Sequence, residues 1–299
     1  MQQKTQRPEE ASGMLTIGGD LNVYRLGFGA MRVTGEGIWG PPPNKQEAIS
    51  VLRRTLELGI NLIDTADSYG PEVSESLIAE ALYPYPKGLV IATKGGLLRP
   101  GPGQWVPDGR PQHLREALEG SLRRLRLDRI DIYQFHRPDT KVPFEDSVGE
   151  FAKMKAEGKI RHVGLSNVTI EQLAQAQKIV PIVTVQNRYN LVDRASENMT
   201  PEQSETMIDI CARQGIGFIP WFPLATGELA RPGGQLDEIA RRHNATPSQI
   251  AVAWLLQRSS TMLPIPGTSS VKHLEENVMG ATIKLTQEEF DTINQIRKQ

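Results

Sequence analysis

The chain is 299 residues long and 38% hydrophobic, enough to bury a core and too much for wholesale disorder. Lys and Arg number 34 against 35 Asp and Glu, so the net charge of −1 gives no electrostatic ground for a nucleic-acid or membrane partner. The single cysteine, Cys211, excludes an intramolecular disulfide and a Cys-based metal site; no metal is expected, and the usage fits a reducing compartment. The N-terminus from Met1 to Glu10 is polar with no targeting stretch, and the longest apolar run, Ile250–Leu256, is far too short to cross a bilayer. The expected location is the cytoplasm.

In chain order, residues 1–13 read as a flexible tail, and Met14–Val23 as a β-hairpin around Gly18-Gly19-Asp20. Eight apolar runs then read as strands: Arg25–Ala30, Ile60–Asp64, Leu89–Lys94, Ile130–Phe135, Ile160–Leu165, Ile182–Gln186, Gly217–Trp221 and Met262–Ile265. Amphipathic segments between them predict helices at Lys45–Leu58, Val73–Leu82, Pro111–Leu125, Glu145–Glu157, Ile170–Lys178, Pro201–Gln214 and Leu236–Gln257, with another starting at Val271. Thr169 is placed to cap one of them, and Gly158 and Gly215 fall just past helix ends, where a positive φ is needed. Arg123-Arg124-Leu125-Arg126 reads as a solvated helix end. Strand–helix alternation implies right-handed βαβ units, and eight of them in this length predict a (β/α)8 barrel with an N-terminal hairpin, one domain spanning 1–299. The competitor, a doubly wound sheet, needs a Gly-rich phosphate turn after its first strand; Gly27-Phe28-Gly29-Ala30-Met31-Arg32 lacks the third glycine. Gly/Pro-rich loops at Thr34–Asn44 and Arg99–Arg110 follow the first and third strands.

A barrel carries its chemistry at the C-terminal ends of its strands. In order those ends are Asp64, Lys94, His136, Asn167, Gln186 and Trp221, polar or aromatic groups where a plain core would be aliphatic. Each alone has an ordinary explanation as a cap, a solvated end or a turn residue; six in strand order do not. The motifs around them carry a resemblance. Asn61-Leu62-Ile63-Asp64-Thr65-Ala66-Asp67-Ser68-Tyr69-Gly70, Ile91-Ala92-Thr93-Lys94, Tyr133-Gln134-Phe135-His136, Gly164-Leu165-Ser166-Asn167, Val185-Gln186-Asn187 and Ile265-Pro266-Gly267-Thr268-Ser269-Ser270 resemble the signature segments of the aldo-keto reductases. The likeness runs from about residue 15 to the end. The Gly40-Pro41-Pro42 loop and Ala81-Leu82-Tyr83-Pro84-Tyr85-Pro86 resemble the bacterial pyridoxal reductase-like branch.

The resemblance implies reduction of an aldehyde or ketone by NADPH, held without a Rossmann domain. Tyr69 becomes the proton donor, Lys94 lowers its pKa, Asp64 fixes Lys94, and His136 orients the carbonyl. It places Ser166, Asn167 and Gln186 on the nicotinamide carboxamide and Trp221 against the ring, with Phe222, Pro223 and Leu224 beside it. Gly29, Ala30 and Met31 lie along the cofactor. Gly267, Thr268, Ser269 and Ser270 take phosphate near a helix start, Lys272 and His273 add charge for a 2′-phosphate, and Glu276 and Asn277 meet adenine. Gly267 and His273 stand where many members carry lysine and arginine, which leaves NADH open as a second cofactor. Trp39 and Trp105, on the two long loops, would join Tyr69 and His136 around a small planar carbonyl substrate such as pyridoxal; each tryptophan could equally anchor its own loop. A cofactor-binding accessory subunit of the potassium-channel β type is the alternative. Those subunits lack the histidine that this chain has at position 136. A third reading is a barrel acting on phosphate-bearing substrates without a nicotinamide, against which the Tyr69/Lys94 pair argues. The oligomeric state has no signature in the sequence.

Overall fold

A computed structural model of the chain describes residues 8–224 and 235–296. Residues 1–7 of the expected tail lie outside that range. Residues 8–13 are a correction to it: Pro8–Ala11 form a short helix (α1), and Glu9 is buried against Gly59. The hairpin follows as β1 (Met14–Ile17) and β2 (Leu21–Tyr24), paired antiparallel, with Gly18 and Gly19 at positive φ.

The barrel wall is a seven-stranded parallel sheet: β3 (Phe28–Gly29), β4 (Leu62–Asp64), β5 (Val90–Gly95), β8 (Ile130–Phe135), β9 (Ile160–Ser166), β10 (Ile182–Arg188) and β11 (Gly217–Trp221), in that order from one edge to the other. The expected eighth strand, Met262–Ile265, is not a strand. Pro264 and Pro266 have no N–H to give a ladder, so the segment joins the two edges by single bonds. Phe218 N–H donates to the Thr261 carbonyl and Leu263 N–H to that of Phe218, while on the other side Gly27 N–H donates to the Pro264 carbonyl. These bonds close the ring.

Helices cover the outside: α2 (Lys45–Glu57), α3 (Val73–Leu82), α4 (Pro111–Leu125), α5 (Phe144–Ala156), α6 (Ile170–Gln177) and α7 (Pro201–Gln214) sit where the periodicity placed them. Thr169 caps α6 through a capping box, and Gly158 and Gly215 have φ of 78° and 68°. The predicted helix Leu236–Gln257 is two, α8 (Gln235–Arg242) and α9 (Pro247–Arg258). Pro247 cannot continue a helix but suits a first turn, and Thr246 caps it. After α10 (Val271–Met279), a further helix that the periodicity missed, α11 (Gln287–Asn294), starts at a Thr286/Glu289 capping box. The Arg99–Arg110 loop holds a small ribbon, β6 (Leu97–Leu98) with β7 (Val106–Pro107). The basic run ending α4 is not all solvated: Arg124 is 15% exposed and pairs with Glu72 and Glu75.

Side chains alternate along each strand, and the two faces bury separate cores. The large core lies between sheet and helices and includes Trp254 and Cys211, both inaccessible. The smaller core fills the barrel: Leu62, Ala92, Ile132, Ile219 and Leu263 meet Ile17, Leu21 and Val23 of the hairpin, which plugs one end. Two residues further along four of those strands stand Asp64, Lys94, Gln134 and Trp221, so the apolar filling gives way to polar groups toward the other end. No described helix is long and apolar enough to cross a membrane.

Candidate active site

The strand ends converge. Lys94, 1% exposed, donates from Nζ to Asp64 Oδ1 at 2.5 Å, to the Thr65 carbonyl at 2.9 Å and to the Tyr69 hydroxyl at 3.2 Å. Asp64 Oδ2 accepts from Gln134 Nε2 at 2.9 Å and Gln186 Nε2 at 2.8 Å. Tyr69 is carried on the loop after β4, which is tied to the end of β5 by Thr65 N–H to the Ala92 carbonyl and Asp67 N–H to that of Lys94. His136 follows β8; its N–H donates to the Gly95 carbonyl, and its ring stands edge-on to Tyr69 with centroids 5.9 Å apart. Ser68 Oγ lies 3.3 Å from His136 Nδ1; in the tautomer where Ser68 donates to Nδ1, Nε2–H is left to donate.

Burial pulls Lys94 down, but Asp64 and Tyr69 outweigh it, and its pKa stands above the ordinary value; the group is an ammonium. Tyr69 departs from expectation. Lys94 does lower its pKa, but burial, reinforced by Asp64, prevails, and the phenol stands above its ordinary value of 10.0. Burial is the largest influence on the phenol, and Asp64 offsets part of what Lys94 contributes. Burial and then Lys94, Arg137 and Arg99 hold His136 well below 6.5, as neutral imidazole.

Asn167, the residue after β9, is in the left-handed region, φ 58°, which asparagine tolerates better than most residues. Its side chain makes three bonds: Nδ2 donates to the His136 carbonyl and to Ser166 Oγ, and Oδ1 accepts from Trp221 Nε1, each at 3.0 Å. It positions Trp221 and His136 at once.

These groups open on a cavity of about 830 Å³. Asp64, Tyr69, His136, Ser166, Asn167, Gln186 and Trp221 line it, with Gly29, Met31, Phe222, Pro223 and Leu224. At its far end are Gly267, Thr268, His273, Glu276 and Asn277, and on its rim is Trp105. Five expected contacts are not brought to it. Ala30 is fully buried, and neither Ser269 nor Ser270 lines the cavity. Lys272 is 81% exposed and lies 3.8 Å from Glu276. Trp39 pairs its backbone with Gly70 and turns its ring to Arg99, anchoring its loop. The start of α10 carries a carboxylate already: Val271 N–H donates to Glu47 Oε1 at 3.1 Å. Sequence reasoning missed Gln134, which gave no signal because a mid-strand glutamine looks like any interior residue. It also missed Arg32, one position past Gly29-Ala30-Met31, whose Cγ lies 3.8 Å from the place a Cβ on Gly267 would take.

The residues fit a nicotinamide dinucleotide. Gly29 and Gly267 pinch the floor so closely that a Cβ on Gly267 would collide with the Gly29 carbonyl, leaving backbone and no side chain along that stretch. Gln186 has Oε1 free for a carboxamide once Nε2 is given to Asp64. The sequence model of the Aldo/keto reductase family matches residues 25–298. The chain belongs to that family. Among aldo/keto reductase relatives it is 54% identical over 277 residues to an uncharacterized oxidoreductase of Schizosaccharomyces pombe, covering 93% of this chain and 88% of that one. It is 43% identical over 296 residues to pyridoxine 4-dehydrogenase of Escherichia coli, 97% and 100% covered, which bears out the resemblance to the pyridoxal reductase-like branch. The structure of a glycerol dehydrogenase from Gluconobacter oxydans superposes with a TM-score of 0.84 at 26% identity, covering 96% of this chain and 95% of that one. As a member of the aldo/keto reductases the chain is an oxidoreductase acting on CH–OH and C=O groups with a nicotinamide cofactor.

Proposed function

We propose that the chain, as one domain, reduces a small planar aldehyde to its alcohol in the cytoplasm, with NADPH along the larger cavity and the proton from Tyr69. The observation that carries this is the buried series Asp64, Lys94, Tyr69 ending in a hydroxyl at the cavity beside His136. The bound nicotinamide supplies a hydride to the carbonyl carbon. His136 Nε2–H donates to the carbonyl oxygen, which orients and polarises it. Tyr69 gives its proton to that oxygen as the C–O bond becomes an alcohol. The phenolate left behind is stabilised by Lys94 at 3.2 Å. Ser166 and Gln186 would hold the carboxamide, and Trp221, fixed by Asn167, would present its face to the ring. Arg32 would supply the positive charge that Gly267 does not, with His273 on the same lining.

Trp105 stands edge-on to Tyr69, 6.5 Å between centroids, and with Ile38 and Leu97 gives an apolar mouth suited to an aromatic aldehyde. The pyridoxine 4-dehydrogenase relative supports pyridoxal as the first compound to try. A panel of aldehydes and ketones, pyridoxal included, assayed with NADPH and with NADH on the wild type and Tyr69→Phe, tests the reading. We expect Tyr69→Phe to lose at least about a hundredfold in kcat, the low end of a general-acid contribution, with cofactor affinity unchanged. Most of the activity surviving in Tyr69→Phe, or no carbonyl turned over with either cofactor, would overturn it.

A further inference from the structure

The larger cavity does not account for Arg99. Its Nη1 donates to the Ser68 carbonyl at 2.8 Å, and its guanidinium carbon lies 3.6 Å from the ring centroid of Trp105 and 5.4 Å from that of Trp39. The other two nitrogens, Nε and Nη2, are buried and have no hydrogen-bond partner among the described residues. Together they form the side-on fork with which a guanidinium takes a carboxylate or phosphate. Arg110 uses the same two atoms on Asp108, at 2.9 and 2.6 Å. Burial pulls the pKa of Arg99 down, and no carboxylate opposes it. An unpartnered buried cationic donor pair is costly, so its retention wants a reason.

Arg99 lines a second cavity of about 310 Å³, whose lining shares only Leu97 with the larger one. Two more unpartnered buried atoms belong to residues lining it, His113 Nε2 and Asp67 Oδ1. Burial, reinforced by Glu75, raises the pKa of Asp67 well above its ordinary value, which favours its protonated form. The remaining charges are mostly committed. Arg124 is held by Glu72 and Glu75, Glu116 accepts from Gln112, and Arg123 adds an exposed positive charge at the mouth. Arg99 thus brings two unpartnered donors to this lining.

We propose that this cavity is a second binding site, which takes a small oxyanion, a carboxylate or phosphate group, on the free fork of Arg99 with His113 and Asp67 beside it. Occupancy reaches the catalytic pocket through two links already in place. Arg99 holds the Ser68 carbonyl, and Ser68 Oγ contacts His136 Nδ1. The anion could be free, or it could be the charged arm of a carbonyl substrate reaching past Leu97; the chemistry at Arg99 is the same. The binding claim does not depend on the reductase reading. Only the meaning of the His136 link does.

The direct probe is the Nε–H resonance of Arg99 in protein labelled with ¹⁵N-arginine, assigned by its loss in Arg99→Lys. Inorganic phosphate is titrated with NADPH saturating, so that the dinucleotide's own phosphate contacts are filled; should NADPH not bind, the same titration is run without it, and a failure of the reductase reading is thereby told apart from a failure of this one. We expect a saturable shift, the His136 imidazole resonance moving with the same midpoint, and a dissociation constant raised about tenfold in His113→Ala, the loss of one hydrogen bond to a charged partner. A shift seen only with an aldehyde that carries a carboxylate supports the site and assigns the anion to the substrate. No saturable shift with either, or a shift that sodium chloride reproduces at equal ionic strength, overturns the site. An Arg99 shift without a His136 shift overturns the link between them.

Discussion

Tyr69 and His136 are each held in the state that carbonyl reduction needs, and the directions of their pKa shifts give the sign of the pH dependence. A phenol raised above 10.0 keeps its proton through the working range and loses it only in stronger alkali. An imidazole lowered below 6.5 stays neutral until the medium is distinctly acid. With cofactor and substrate saturating, kcat for reduction should be flat from about pH 6.5 to about pH 10, the ordinary values of the two groups. A transition centred inside that window would contradict the assignment. Alcohol oxidation, which starts from the phenolate, should instead rise toward alkaline pH. Lys94 and Asp64 separate turnover from stability. Lys94→Met removes the cation that stabilises the phenolate, whereas Asp64→Asn leaves it, still bonded to Thr65 and Tyr69. Turnover should fall much further in Lys94→Met; the reverse order in a kcat comparison would invert the roles of the two side chains. Both changes break a buried ion pair, so both should lower stability by about 3–5 kcal/mol, read from denaturant melts. Asp64, Lys94 and His136 were legible because each ends an apolar run in chain order, and Tyr69 only through the motif that follows Asp64. Their electrostatics were not: the balance between burial and Lys94 at Tyr69 depends also on how far Asp64 offsets the ammonium, which is a matter of distance.

Strand β9 shows how an element supports the site from behind. Gly164 lies inside it, and a Cβ there would collide with Thr184 Oγ1 and crowd Gln134, which donates to Asp64. Gly164→Ala should therefore cost about 1–3 kcal/mol by overpacking and depress kcat by displacing Gln134. Gly149 in α5 is the control. A Cβ meets nothing there, and Gly149→Ala should stabilise by about 0.5–1 kcal/mol with kcat unchanged. Equal effects on kcat at the two positions would dismiss a supporting role for Gln134. Elements were readable where residue type and period agreed, as at α3, α4, α7, β8 and β11, whose limits are those predicted. They were misread where one local signal was passed over. Thr246-Pro247 within a long apolar stripe marks a new helix, and Thr286-Gln287-Glu288-Glu289 is a capping box that announces α11. The second cavity left no trace in the sequence, because it depends on the segment after β4, residues 97–99 and α4 meeting around one arginine.

At the scale of the molecule, strand–helix alternation was enough to predict the barrel, and the strand ends its working face. The charge around the cofactor channel was less legible. Glu47 at the start of α10 and the exposed Lys272 make the expected phosphate end less positive than its motif suggests. Lys272→Ala with His273→Ala should still weaken NADPH, by about tenfold if one charge-assisted hydrogen bond is lost, and leave NADH nearly unmoved. The preference should shrink as salt rises. Titrations of both cofactors on both proteins decide it, and equal losses would mean that these side chains shape the site without reading a phosphate. The closure of the ring has a consequence for motion. Seven strands are laced to their neighbours by ladders, but the join between β11 and β3 is made of the single bonds to Thr261, Phe218 and Pro264. Local opening follows the sparsest bonding. The amides of Gly27 and Leu263 should trade hydrogen for deuterium sooner than those of β8 and β9. The same segment runs directly into Ile265, Pro266, Gly267 and Thr268 of the cavity floor. A dinucleotide lying on that floor would quiet the exchange there most of all, so the weakest join of the barrel is also the one its cofactor is placed to seal.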